Sequence, residues 1–415
     1  MSKIEWTDRT WNPVVGCARV SEGCRHCYAE TMASRVANAA QAKLRRGGAL
    51  TATEAAYREV VRWECGGATA ENEHDKALPK WNGQVRLIRE RLADPLRWTK
   101  PARIFVNSMS DLFHAGLSHQ DIAAVFGVMA AARWHTFQVL TKRPERAVEW
   151  FRWVEAGAPA AVARWEAGMR DIESVCISAG RPHLGRPEPP TPQLRAVYDT
   201  APLDSGEYHW RPWPLQNVWL GVSVEDQRSA DERIPLLLQC PAAVRWISAE
   251  PLLGPIDMTQ AMYGEDPPGM NAFGFTDGFG YEATLHWVVA GGESGPGARP
   301  MHPNWPRSLR DQCKAAKVPF VFKQWGRFGQ YLNESHYTYS GNERRPAHAW
   351  VDAETADHGE CWVSDGDGEW SDWTGEPRML GDGGHPAVAV MGDFGKKEAG
   401  RLLDGVLHDE YPEAP

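Results

Sequence analysis

Residues Arg103–Thr141 read RIFVNSMSDLFHAGLSHQDIAAVFGVMAAARWHTFQVLT, and this stretch decides the fold class. Its two ends, RIFVN and TFQVLT, are nearly continuously apolar rather than alternating, the pattern of strands buried on both faces of a parallel sheet. Between them Ser118 is placed to cap a helix, and Ile122, Val125, Phe126 and Met129 recur at helical spacing. The stretch reads as a strand, a helix and a second strand.

The same rhythm continues outward. Further apolar runs are Val218–Val224 (VWLGVSV), Val244–Ser248 (VRWIS), His286–Ala290 (HWVVA) and Val318–Lys323 (VPFVFK). An amphipathic helix, PNWPRSLRDQCKAAK, precedes the last of them. A strand near Asn12–Val15 brings the expected count to about seven. Repetition of this kind yields either a doubly wound sheet or a (β/α) barrel, and in both the ligand sits at the carboxyl ends of the strands.

Three segments break the rhythm. Residues 36–80 are rich in Ala, Glu and Arg and are expected to be helical; 153–216 are rich in Pro and Trp; 257–284 are Gly-rich and expected to form a hairpin or loop. After Trp325 the composition turns to Gly, Asp and Trp. The expected organisation is a β/α domain over residues 1–325 carrying those insertions, then a small C-terminal β-rich appendage over 326–415 with a short helix near Lys396–Leu403.

The 415-residue chain has a formal charge of −9, so it is not a general polyanion-binding surface. Arg86–Arg146 nevertheless holds ten Lys/Arg against five Asp/Glu, which is either a phosphate-binding face or an ordinary solvated one. No apolar run approaches the roughly 18–20 residues of a membrane span. The opening MSKIEWTDRTWNP lacks the apolar core of a secretory signal. The expected location is cytoplasmic, with no membrane partner.

Eight cysteines without a signal segment do not read as a disulfide framework. Three of them, Cys17, Cys24 and Cys27, fall in GCARVSEGCRHCYAE at C-x6-C-x2-C spacing. Thiolates are soft ligands for zinc or iron–sulfur centres. A [4Fe–4S] cluster on three cysteines leaves one iron open, whereas structural zinc takes four protein ligands. The spacing alone leaves a cluster, a zinc site and coincidence all open. Gly16 and Gly23 precede two of the cysteines, where a missing Cβ permits close approach or positive φ. Tyr28, Met32 and Val36 share a helical face, which puts Cys27 at a helix start whose dipole favours thiolate.

The cysteine motif, with Tyr28 just after its last member and β/α units following, resembles the radical S-adenosylmethionine superfamily. The blocks GCARVSEGCRHCYAE, FVNSMSDLFH, LTKRPER, WLGVSVEDQ, ISAEPLLGPI, VVAGGESGPGARPMHPNW, FVFKQWG and GKKEAGRLLDG together resemble a phage-associated three-cysteine protein family. That resemblance runs over about residues 3–411.

The resemblance implies an α/β fold, a partial (β/α)6–7 TIM-like barrel. It also implies a [4Fe–4S] cluster on Cys17, Cys24 and Cys27, and S-adenosyl-L-methionine chelated at the open iron and cleaved on reduction by an electron donor. The cofactor-binding groups it implies are Tyr28 and the strand-end residues Ser108, Ser110, Asp111, Ser223, Glu225 and Glu250. Asp111 suits the cofactor's ammonium or else caps the next helix. Lys142, Arg143, Glu293, Arg299 and Lys323 stand as substrate-side candidates; the basic ones neutralise a carboxylate or phosphate, or else pair with Glu250 or Glu293. A nucleotide or nucleic acid is the substrate class to test. The rival expectation is a zinc-stabilised, non-catalytic module binding nucleic acid or protein, in which the strand-end acids are caps and ion pairs.

Overall fold

The apolar runs assemble into one seven-stranded sheet. A computed structural model describes residues 4–62, 80–155, 214–259, 272–273, 284–330, 348–352, 361–364, 370–371, 388–393 and 395–413. The strands are β1 (Arg9–Trp11), β2 (Arg103–Val106), β3 (Thr136–Thr141), β4 (Val218–Ser223), β5 (Val244–Ala249), β6 (Trp287–Gly291) and β7 (Phe320–Gln324). They lie side by side in chain order, and β1·β2, β2·β3, β3·β4, β5·β6 and β6·β7 all pair in parallel. A doubly wound sheet reverses its strand order at a switch point. This sheet has no reversal, and its order is compatible with a partial β/α barrel.

The first strand differs from the sequence expectation. Arg9–Trp11 enters the sheet, whereas Val14–Val15 pairs antiparallel with Arg86–Leu87. Pro13 explains the shift, because it has no N–H to give to a ladder. Its carbonyl instead accepts from Ile88 N at 2.7 Å. Asn12 is left between the two pairings, free to use its side chain elsewhere.

The helices are α1 (Tyr28–Arg45), α2 (Ala52–Glu59), α3 (His119–Ala131), α4 (Pro144–Glu155), α5 (Gln227–Leu238) and α6 (Asn304–Ala316). Ser118 and Asp121 form a reciprocal capping box at the start of α3, and Ile122, Val125, Phe126 and Met129 are all buried. The helical reading of residues 36–80 holds over 36–45 and 52–59 through α1 and α2, whereas Val61–Arg62 pairs antiparallel as a strand with Lys80–Trp81, and residues 63–79 lie outside the described residues. Residues 156–213, 260–271 and 274–283, which hold most of the two other insertions, lie outside the described residues. Among the described residues no helix is long and apolar enough to cross a membrane.

Two compact units divide the chain: Met1–Val222 with Leu236–Arg245 and Ala414–Pro415, and Ser223–Pro235 with Trp246–Glu413. In the first, Phe126 packs 4.4 Å from Trp150 between ring centroids, with Phe113 against both. In the second, fully buried Trp246 and Trp287 pack at 5.2 Å.

The second unit also holds an antiparallel five-stranded sheet in the order Phe328–Gln330, Val388–Asp393, His348–Asp352, Cys361–Ser364, Trp370–Ser371, and a short helix Gly395–Ala399. Beyond that helix the chain returns to the main sheet. Phe322 N donates to His408 O at 3.1 Å, Glu410 N donates to Phe320 O at 3.3 Å, and Val321 forms an antiparallel bridge with Asp409. The returning tail covers the outer edge of β7, which otherwise presents unpaired backbone groups.

Candidate metal centre

All three clustered cysteines lie on one loop that leaves the carboxyl side of β1. Gly16 starts it at φ +91°, and a Cβ there would lie 2.1 Å from Gln84 O and 2.9 Å from Val60 Cγ1. Only glycine fits both constraints. Gly23 differs: it sits in the 3-10 turn Glu22–Cys24 and is not among the positive-φ glycines. Cys17, Cys24 and Cys27 are free thiols, each partly exposed. Cys17 and Cys27 pack, together with Met109, against an apolar cluster of Val15, Ala33, Ala37, Val60 and Ile88.

The ends of β2 and β3 grip this loop. After β2, Asn107 takes a left-handed φ of 59° and turns the chain toward the loop, its Oδ1 accepting from Val14 N at 3.3 Å. Ser108 Oγ and Met109 N donate to Asn12 Oδ1 at 3.1 and 3.2 Å. Ser110 Oγ donates to Val14 O at 3.2 Å, and Ser110 bridges Gly16 in parallel. Tyr28 Oη donates to Ser108 O at 2.5 Å.

Asp111 is the centre of the arrangement. Its Oδ1 accepts from Phe113 N at 2.9 Å and Thr141 Oγ1 at 2.7 Å; its Oδ2 accepts from Lys142 N and Arg143 Nη1, both at 3.0 Å. A carboxylate has about four acceptor sites, and protein groups use that many here. Asp111 does not cap α3, where Ser118 and Asp121 do so.

Arg143 directly precedes α4, with Pro144 at the position where a missing N–H costs nothing. Its backbone is fixed by Thr141 Oγ1, which accepts from Arg143 N at 2.9 Å, and by Ala147 N, which donates to its carbonyl. Thus aimed, the guanidinium reaches Ala18 O at 2.8 Å and Cys17 Sγ at 4.0 Å. From the other side Arg19 pairs with buried Glu30 of α1, whose second oxygen accepts from Trp81 N at 3.0 Å. The sequence reading missed Asn12, Arg19, Glu30 and Asn107. Glu30 lies one turn beyond Cys27 in CYAE, and that position was the available signal.

The thiols sense one another. Burial pushes Cys17 up to about 12, with Asp111, Cys27 and Cys24 adding to the rise and Arg143 opposing it. Burial also raises Cys27, although hydrogen bonds from Glu30 and Ala29 at the start of α1 act the other way. The helix start therefore favours its thiolate as expected, but desolvation outweighs it. For Cys24 the balance reverses. Burial pushes it up, yet Lys142 together with bonds from Val20 and Ser21 leaves it below the ordinary thiol range.

As they stand, no group of three or more His, Cys, Asp or Glu among the described residues is arranged to hold a metal ion. The three thiols share one donor type on one short loop, with Lys142 beside Cys24 and Arg143 beside Cys17.

The remaining sequence candidates lie in the second unit. Glu225 is 2% exposed and pairs with buried Arg233 at 2.9 Å. Ser223 Oγ donates to Glu250 O at 3.2 Å, while the Glu250 carboxylate pairs with Lys323 and accepts from Gln324 Nε2 at 3.3 Å. Arg299 grips Glu293 with Nε on Oε2 and Nη2 on Oε1, both at 2.9 Å. Lys323 thus pairs with Glu250, and Arg299 with Glu293.

No curated protein and no solved structure matches the chain. One family model does, over residues 1–412, nearly the full length. The chain belongs to the family described as Protein of unknown function (DUF5131).

Proposed function

We propose that this protein is an iron–sulfur enzyme of the radical S-adenosylmethionine type, built on a partial TIM-like barrel, with a [4Fe–4S] cluster on Cys17, Cys24 and Cys27. The observation that carries the reading is convergence. The cysteine loop follows β1, and the ends of β2 and β3 bind it through Ser108, Ser110 and Arg143. Ligands of parallel β/α sheets gather at that side of the strands.

A bound cluster supplies the electron that cleaves the sulfonium of S-adenosylmethionine. The chain's own residues do the rest. Cys17, Cys24 and Cys27 would hold the cluster as thiolates, the form a metal site requires, and Lys142 favours that form at Cys24. Arg143 and Asp111 fix the loop at Cys17 and Ala18, and Arg19 with Glu30 fixes it one residue further on. Tyr28, Ser108 and Ser110 offer polar groups beside the cysteines for the cofactor's amino acid portion.

A nucleotide or nucleic acid is the substrate class we propose to test, on the strength of the family resemblance. The basic stretch adds little to it. Of its ten Lys/Arg, Arg86, Arg91, Arg97, Arg103, Arg143 and Arg146 are in ion pairs with Glu59, Asp94, Asp94, Asp8, Asp111 and Glu149.

Anaerobic reconstitution with iron and sulfide tests the reading. It expects iron and sulfide retained by the wild type and lost on replacing any of the three cysteines with alanine, and 5′-deoxyadenosine released under reductant. Tight zinc with no retained sulfide, or a loaded cluster that releases no deoxyadenosine, refutes it.

A further inference from the structure

Helices α1 and α2 and the two-stranded ribbon that follows them carry more cations than their acids can use. Residues 28–62 and 80–87 hold eight Lys/Arg against three Asp/Glu. All three acids are committed: Glu30 to Arg19, Glu54 to Lys43 and Glu59 to Arg86. Arg35, Arg45, Arg46, Arg58, Arg62 and Lys80 make no ion pair among the described residues.

Two of these cations are set against each other. In the ribbon Val61 and its partner Trp81 are buried, which turns Arg62 and its partner Lys80 out to solvent. Like charges directly opposite on one face of an antiparallel pair destabilise it, so the fold gains nothing from this arrangement. The helix dipole accounts for Arg45, Arg46 and Arg58, each at the C-terminal turn of its helix. It does not account for Arg35, Arg62 or Lys80. On α1 the positions 28, 32, 35, 39, 42 and 46 recur at helical spacing, and all six are exposed. That stripe lines up Tyr28 and Met32, 53% and 43% exposed, with Arg35 and Arg46.

We infer that this surface of the first unit binds single-stranded nucleic acid, with Arg35, Arg46, Arg62 and Lys80 meeting phosphates and Tyr28 offering its ring to a base. Phosphates supply the negative charge that these cations lack. Binding of single strands without sequence preference combines a basic track with aromatic side chains on which bases stack. Tyr28 Oη donates to Ser108 O, so the ring is held at its tip while more than half of the residue stays open. Bases inside a duplex are stacked on one another and cannot use it. The inference narrows the nucleic-acid part of the function proposed above to a single strand, and it needs no cluster.

Fluorescence anisotropy of a labelled oligothymidylate with the full-length protein tests it, read from about 50 to 200 mM salt. Each phosphate neutralised contributes about −0.7 to the log–log slope for a single strand. Arg62→Gln with Lys80→Gln removes two contacts and makes the slope shallower by about 1.4. Relief of the like-charge pair leaves its urea midpoint at or above that of the wild type, so lost binding is not lost fold. Arg35→Gln with Arg46→Gln does the same from α1 and decides should the first pair fail to fold. Lys100→Gln with Arg133→Gln removes two exposed cations elsewhere in the unit and leaves binding unchanged.

A salt-dependent complex weakened by the first two pairs and not by the last supports the inference. No binding by the wild type overturns it, as would follow if the chain's own Glu64, Glu71, Glu73 and Asp75 occupied these cations. Equal responses of all three pairs overturn it too, as does a duplex bound as tightly as the strand. None of these outcomes bears on the cluster, which retention of iron and sulfide decides separately.

Discussion

Gly16→Ala is the sharpest perturbation of the cysteine loop, because two independent constraints meet at one atom. At φ +91° an alanine is held in a region costing about 1–3 kcal/mol for a residue with a side chain. Its Cβ would also lie 2.1 Å from Gln84 O, a backbone atom that no rotamer change can move aside. Relief requires shifting one backbone segment against the other, and overpacking of that kind costs a further ~1–3 kcal/mol. The expected total is about 2–6 kcal/mol.

Gly83 supplies the internal control. It has φ +83° but nothing within 4 Å of its missing Cβ, so Gly83→Ala carries the conformational cost without the collision. Urea unfolding of both variants should place Gly16→Ala about 1–3 kcal/mol below Gly83→Ala. Since Gly16 adjoins Cys17, iron retained after reconstitution should fall in the first variant and stay at the wild-type level in the second. Equal destabilisation by the two substitutions would show that the close approach to Gln84 does not constrain the loop.

Three further outcomes are expected. Glu225→Leu removes the carboxylate that meets buried Arg233 and should cost about 3–5 kcal/mol, whereas Glu225→Leu with Arg233→Met should unfold nearer the wild-type urea concentration; a double variant no better than the single refutes this. Glu54 is held down to about 2 by the Thr51 N–H and by Lys43, so its contribution to α2 is fully present above its ordinary 4.5 and is lost as the pH falls through about 2. Protection of the α2 amides, measured against their intrinsic exchange at each pH, should fall across that interval, and in Glu54→Gln it should show no such step. Deleting residues 405–415 uncovers β7 and should produce concentration-dependent association in sedimentation; a monodisperse truncated chain would contradict the covering role.

The fold was legible wherever one physical signal dominated. Continuous apolar runs marked β2 to β7, and the Ser118 cap with its four spaced apolar residues marked α3, because burial and capping act locally. Strand β1 was misplaced by three residues at its start, since a three-residue strand gives almost no periodic signal and the effect of Pro13 on ladder donation appears only once the partner strand is known. That the three cysteines share one loop was legible from their spacing, and the positions of Asp111 and Arg143 after β2 and β3 from the ends of the apolar runs. Their mutual pairing, the grip of Glu30 on Arg19, and the left-handed turn at Asn107 were not, because each joins positions far apart in sequence or depends on backbone dihedrals. The arginine partners of Glu225 and Glu293 were hidden for the same reason: a sequence shows a carboxylate beside a buried strand but not the arginine that meets it.

The backbone groups that cover Phe320 and Phe322 belong to residues 408–410. At roughly 5–20 residues per second of synthesis, about 90 residues of separation is an interval of roughly 5–18 s. During that time the newest parallel strand emerges from the ribosome with its outer side bare. A nascent chain of this protein is most exposed to pairing with a neighbouring copy in those seconds, and the exposure ends with the arrival of residues 408–410.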